Sequence, residues 1–150
     1  MIRLRMKDVD DKQIRQLIDK ELVPLSHMSP SLIQKIRKEL PRRLSQGMTY
    51  ISYETNPSKL NGFIHLLLYP HTLIIDMLAV ASKAQGKGVG KSLLLHAENL
   101  GSSKRCTSSR LLVDEGNVRG IQFYQRQGYS VIRHDTRNHC YEMSKRLSPY

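Results

Sequence analysis

Three glycines in five residues, Gly86, Gly88 and Gly90, stand within Ala84-Gln85-Gly86-Lys87-Gly88-Val89-Gly90-Lys91-Ser92. Placed between a strand and a helix, such a run lets the backbone approach a phosphate, and the first N–H groups of the helix point at it. Glycine costs about 1 kcal/mol per position in a helix, so a helix start this rich in glycine is a poor choice for a turn with no ligand. The loop should bind an anion.

Two nucleotide signatures compete for it. A dinucleotide fingerprint, GxGxxG, would begin at Gly86 and Gly88 but needs glycine where Lys91 stands. A Walker A loop, GxxxxGK(S/T), would end at Gly90-Lys91-Ser92, with Leu111-Leu112-Val113-Asp114-Glu115 mimicking the strand that carries a magnesium-binding acid. Its first glycine falls at Gln85, and too little chain follows Ser92 for a parallel sheet with covering helices.

Other chemistry-bearing side chains are scattered. His27, His65, His71, His96, His134 and His139 show no HExxH or similar spacing, so no metal site is expected and ordinary surface or core roles are assigned to each. Cys106 and Cys140 form neither a disulfide framework nor a CxxC pair, and read as reduced structural thiols.

The elements that must position the loop follow from periodicity. Ile2, Leu4 and Met6 alternate as in a half-buried strand. A helix fits Asp8 to Leu22 and ends at Pro24. Ser29-Pro30 caps a second, with Leu32, Ile33, Ile36 and Leu40 apolar, which Pro41 should end or kink. Strands fit Met48 to Glu54, Gly62 to Tyr69 and Thr72 to Val80, the last leading into the loop. Val89, Leu93, Leu94, Ala97 and Leu100 mark a helix ending near Gly101. A buried strand fits Arg110 to Asp114. A helix capped by Asn117 runs to Gly128, and strands fit Tyr129 to Arg133 and His139 to Leu147. The order predicts one α/β (α+β) domain over 1–150, with a mixed sheet of about seven strands and about four helices.

With 150 residues, one core and one active site are expected. Lys+Arg 24 against Asp+Glu 13 gives +11, which points to an anionic partner. A nucleic acid is left open but not favoured, because the basic residues are spread along the chain and aromatics make up only 6%. No apolar run approaches the ~20 residues of a membrane span, and the N-terminus lacks the apolar stretch of a secretory signal. A cytoplasmic location and no membrane partner are the expectation; a homodimer is left open.

Gln85-Gly86-Lys87-Gly88-Val89-Gly90 meets every constrained position of Gln/Arg-x-x-Gly-x-Gly/Ala. Ile75-Asp76-Met77-Leu78-Ala79-Val80 precedes it as a strand ending in Leu-x-Val, and Asn117 to Tyr129 carries Asn, then the pair Phe123-Tyr124, then Gly128-Tyr129. Together with the ending Tyr141 to Leu147, these segments resemble the GNAT superfamily of acetyl-CoA-dependent N-acetyltransferases. The likeness is close over the C-terminal half and covers only element order before it.

That resemblance implies a mostly antiparallel, twisted sheet whose central strands splay to hold acetyl-CoA. Gln85, Gly86, Lys87, Gly88, Val89, Gly90, Lys91 and Ser92 would wrap the pyrophosphate. The strand edge at Leu78, Ala79 and Val80 would pair with pantetheine, an N–H there, that of Leu78, polarising the thioester carbonyl. Asn117 would contact the cofactor arm as well as cap its helix. Tyr124 stands where many members carry the acid that protonates the departing thiolate, with a buried structural tyrosine as the competing role. Asp76 matches an acidic position of some members and is the candidate base, directly or through water; alternation puts it on the face of Leu78 and Val80. Asp114 and Glu115 are weaker candidates.

The implied activity is transfer of acetyl from acetyl-CoA to a primary amine, of a small molecule or a protein, by direct attack in a ternary complex without a metal. The acceptor is expected between Leu25 to Met28 and the tip from His134 to His139. Two other classes stay open: a non-catalytic acyl-CoA-binding module and a basic RNA-associated protein.

Overall fold

The computed structural model describes residues 1–148. Seven strands form one sheet in the order β1-β2-β3-β4-β5-β7-β6. They are β1 (Ile2–Leu4), β2 (Met48–Ser52), β3 (Gly62–Tyr69), β4 (Thr72–Val80), β5 (Ser108–Asp114), β6 (Ser130–Asp135) and β7 (Cys140–Arg146). The helices are α1 (Lys7–Leu17), α2 (Pro30–Ser45), α3 (Val89–Ser103) and α4 (Val118–Arg126).

Each side of the sheet has its own core. Ile64, Leu66, Leu73 and Ile75 pack with Leu93, Leu94 and Ala97 of α3 and Tyr124 of α4. Ile51, Phe63 and Ala79 pack on the other side with Ile14 and Leu17 of α1 and Leu40 and Leu44 of α2. The period-2 runs of β3 and β4 are apolar on both faces because helices cover both, and their ends match the sequence expectation.

Three local features depart from simple periodicity. The first helix does not continue as α-helix to Leu22: α1 stops at Leu17, widens into a π-helical turn over Ile18–Leu22, and tightens into a 3-10 turn over Val23–Leu25 around Pro24. In α2, Pro41 neither ends nor shortens the helix, which runs four residues beyond it to Ser45. Buried Leu40 and Leu44 on either side of Pro41 hold the helix on the core against the loss of one backbone bond. Ser29 caps the start as expected, its side chain accepting from the Leu32 N–H at 3.3 Å.

The third feature is decisive for the site. In the β3–β4 ladder Met77 faces His65 but Ile75 faces Leu66, so Asp76 is an extra residue, a β-bulge. The parallel pairing of β4 with β5 ends one residue before it, at Ile75↔Leu111. Beyond that point the two strands diverge, and among the described residues the β5-facing edge of β4 from Asp76 to Val80 has no strand partner.

Candidate active site

A cleft of about 630 Å³ fills the gap between the diverging strands. Its walls are Leu78, Ala79 and Val80 of β4, the loop from Ala84 to Lys91, the inner side of α4, and Leu22 and Leu25. The loop takes its shape from glycine: Gly86 and Gly88 sit at φ +76° and +83°, where a Cβ would be strained, with nothing within 4 Å of where it would project. Gly88 is the N-cap of α3, and the first intrahelical bond runs from the Ser92 N–H to its carbonyl at 3.0 Å. The N–H groups of Val89, Gly90 and Lys91 are therefore left without an intrahelical acceptor, beside the positive end of the helix dipole.

Gln85 acts as a strut. Its amide donates to the carbonyl of Val80 at 2.9 Å and to Glu21 at 3.2 Å, while Glu21 also accepts from the Ser82 hydroxyl. The π-helical turn carries Glu21 and Leu22 into the cleft wall, so the widened helix locks the far end of β4 and the glycine-rich loop together.

Two neighbouring tyrosines have opposite fates. The Tyr129 hydroxyl donates to Glu98 at 2.7 Å and meets Ser109 at 2.7 Å, and Lys145 closes the network on Glu98 at 2.9 Å. Tyr124, 8% exposed, lines the cleft, and among the described residues its hydroxyl has no hydrogen-bond partner. Burial pushes its phenol well above the ordinary value, so it keeps its proton. A structural tyrosine would bond as Tyr129 does; Tyr124 instead lines the cleft.

Of the other residues singled out in the sequence, Leu78, Ala79, Val80, Gln85, Gly86, Gly88, Val89, Gly90, Lys91 and Asn117 line the cleft with Tyr124. Asn117 also caps α4, accepting from the Gly120 N–H at 3.0 Å. Lys87 and Ser92 do not reach the lining; both are exposed.

Asp76 requires a correction. Alternation put it on the face of Leu78 and Val80, but the bulge turns it to the opposite face, where Arg43 of α2 grips its carboxylate through two bonds of 2.9 and 2.8 Å. His65 Nε2 lies 3.6 Å from the same carboxylate, and its Nδ1 is 2.7 Å from the Thr49 hydroxyl. Asp76 is absent from the cleft lining.

Periodicity missed two further groups. Arg119 and Arg126 of α4 line the cleft with Lys91, and among the described residues none of the three makes an ion pair. Their i, i+7 spacing, which puts both on one helix face, was the available signal. Three histidines from distant parts of the chain also meet beside the end of β5. His27 Nδ1 lies 2.6 Å from Asp114, whose other oxygen accepts from the His27 N–H at 3.0 Å. Glu115 bonds His134 at 2.8 Å and lies 3.5 Å from His139, and the rings of His27 and His139 stack at 4.8 Å. The His134 contact, with lesser help from His139, holds the Glu115 carboxyl below the usual range. No local spacing announces this cluster.

The fold is shared widely. A GNAT-family acetyltransferase from Staphylococcus aureus Mu50 superposes with a TM-score of 0.79 at 13% identity, covering 99% of each chain. The PaiA N-acetyltransferase from Thermoplasma acidophilum, solved in complex with coenzyme A, superposes at 0.72 and 21% identity, over 98% of this chain and 99% of that one. In sequence, the uncharacterized protein YdhI of Bacillus subtilis (strain 168) is 28% identical over 74 residues, which span 49% of this chain and 45% of that protein. The family model described as acetyltransferase (GNAT) matches residues 13–129, and the chain belongs to that family.

Proposed function

We propose that the protein transfers acetyl from acetyl-CoA to a primary amine, of a small molecule or a protein, by direct attack in a ternary complex. The observation that carries this reading is the pairing, in one cleft, of an open glycine cradle with an unpartnered buried phenol. The cradle fits a diphosphate: positive-φ glycines leave its floor open, three orphan N–H groups and Lys91 face it, and the unpaired edge of β4 suits an extended amide-bearing arm. Coenzyme A supplies the activated acetyl group and the thiol that leaves.

Tyr124 then gives its proton to the departing sulfur. Burial disfavours the phenolate, so Tyr124 holds its proton until the departing sulfur takes it. Asp76, neutralised by Arg43 on the other side of β4, is not given the base role in this scheme.

The test measures thiol released from acetyl-CoA with and without putrescine, tyramine, an Nα-blocked lysine and a peptide with a free N-terminus. Amine-dependent release supports the proposal. Thermal stabilisation by acetyl-CoA without release under any amine favours a non-catalytic acyl-CoA-binding module. Stabilisation by ATP and none by acetyl-CoA overturns the reading, and stabilisation by RNA alone favours the nucleic-acid alternative.

A further inference from the structure

The rim of the cleft near the end of β5 is unlike the rest of this basic chain. Consecutive carboxylates, Asp114 and Glu115, hold three half-exposed imidazoles brought from the link between α1 and α2 and from the β6–β7 tip. Among the described residues no group of three or more His, Cys, Asp or Glu is placed to hold a metal ion, so the cluster calls for another use. Its position is fixed by close packing: Leu25 lines the cleft, and its carbonyl is so near Gly116 that a Cβ there would lie 2.8 Å from it. Gly116 in turn precedes Asn117, another lining residue. His27 therefore stands two residues from Leu25 of one wall, and is tied to Asp114, whose strand leads through Gly116 to Asn117 of another.

The diphosphate cradle, α3 and α4 occupy one side of the cleft. An amine must reach the reacting carbonyl from the side left over, which is bounded by Leu22, Leu25 and Asn117. It arrives as an ammonium ion, because alkylamines hold their proton at neutral pH, and must lose that proton before it can attack.

We infer that His27, oriented by Asp114, is the catalytic base that takes this proton, and that the acceptor enters as a cation past the Asp114–Glu115 rim. Asp114 lies 2.6 Å from Nδ1 and favours the N–H on that nitrogen, so that the lone pair of a neutral ring falls on Nε2. The same Asp114 oxygen accepts from the Gly116 N–H at 2.8 Å, and its partner oxygen accepts from the His27 N–H, so the carboxylate is a rigid anchor. His139 stacks on the other side of the ring, with Glu115 behind it. The two adjacent carboxylates put negative charge at the rim, which attracts an ammonium ion.

The step balances. The ammonium gives one proton to His27 Nε2, and the freed lone pair forms the C–N bond to the acetyl carbon. As the C–S bond breaks, Tyr124 protonates sulfur and regains a proton from the second that nitrogen sheds. One amide, one thiol and one proton, released through His27, result from each turnover. The inference rests on the acetyl-transfer reading.

The experiment compares the wild type with His27→Gln and Asp114→Asn, using each amine above that releases thiol and, alongside, trifluoroethylamine, an amine largely neutral at pH 7. For His27→Gln, kcat/KM for an alkylamine at pH 7 should fall on the order of 100-fold, while KM for acetyl-CoA stays within about two-fold, since the donor wall is intact. The loss should shrink as the pH rises toward the alkylamine's own pKa, and should be about tenfold smaller for trifluoroethylamine, since both conditions supply a neutral nucleophile without a base. Asp114→Asn should show the same pattern with a smaller loss. An equal loss for both amines at every pH, or none, overturns the inference while leaving acetyl transfer standing. A wild type that releases no thiol with any amine overturns both. Matching melting temperatures exclude misfolding as the cause of a fall.

Discussion

The two sides of the cleft are built from different materials. The wall proposed for the donor is made largely of backbone: glycine φ angles, orphan N–H groups at a helix start and an unpaired strand edge, all set by residues close in sequence. The rim proposed for the acceptor is made of side chains, His27, Asp114, Glu115, His134 and His139, drawn from three stretches far apart in the chain. A backbone site has one geometry that many sequences can make, whereas a side-chain rim can be rewritten without disturbing the fold. One fold can therefore hold its donor fixed while its acceptor changes.

The largest test of that division is Tyr124→Phe, which removes a proton and keeps the packing. Its turnover should fall about 100-fold or more, with KM for acetyl-CoA and melting temperature nearly unchanged. An unaltered kcat would remove Tyr124 from the reaction and return it to the core, as Tyr129 already is. Next in size is the cradle itself. Gly88→Val forces a β-branched residue to φ +83°, a conformation costing about 1–2 kcal/mol even without branching, and should weaken acetyl-CoA binding by ten-fold or more in a calorimetric titration. Ser92→Ala should leave that affinity unchanged, because Ser92 lies outside the lining and its N–H is already bonded to Gly88. A fall for Ser92→Ala would revive a Walker-type use of its hydroxyl.

Smaller effects are expected from the α4 arginines. Arg119→Ala and Arg126→Ala each remove a cation that lines the cleft and, among the described residues, has no acidic partner, so each should raise KM for acetyl-CoA a few-fold at low salt. The difference should fade as ionic strength shortens the screening length toward ~3 Å at 1 M. A salt-independent effect would instead mean that the arginines shape the wall through their aliphatic stems.

The same contrast explains what could be read in advance. β3 and β4 have the expected ends because alternation and bounding turns are local, and the glycine loop and the Asn117 cap of α4 carry local motifs. The bulge escaped because inserting one residue at Asp76 leaves an apolar run on both sides; only the facing strand reveals the slip from His65 to Leu66. The π-helical turn escaped for a related reason, since Ile14, Leu17 and Ile18 satisfy an α-helical period up to its start. The rim was legible only in outline: the family resemblance set Leu25 to Met28 opposite the tip from His134 to His139, but six histidines without common spacing gave no pairing of His27 with Asp114 or of His134 with Glu115.

The bulge marks the boundary between the two sides, and its polar support gives the last and smallest prediction. His65 is fully buried with Nε2 unbonded. Burial pushes its imidazole below the ordinary value of 6.5; Asp76 opposes that shift, and Arg43 and Arg5 reinforce it. The unfolded chain therefore binds the His65 proton more readily than the folded one, and folding stability must rise with pH across that interval. The contribution is complete above about pH 6.5 and is lost progressively below it, down to the lowered folded value. His65→Gln keeps a hydrogen-bonding group for Thr49 and removes the titration. Between pH 8 and pH 5.5 the wild-type melting temperature should fall further than the variant's, by on the order of 3 °C. If the two fall in parallel, the imidazole is protonated equally in both states, and Asp76 rather than burial governs it; the bulge would then be held by a charged triad of Arg43, Asp76 and His65.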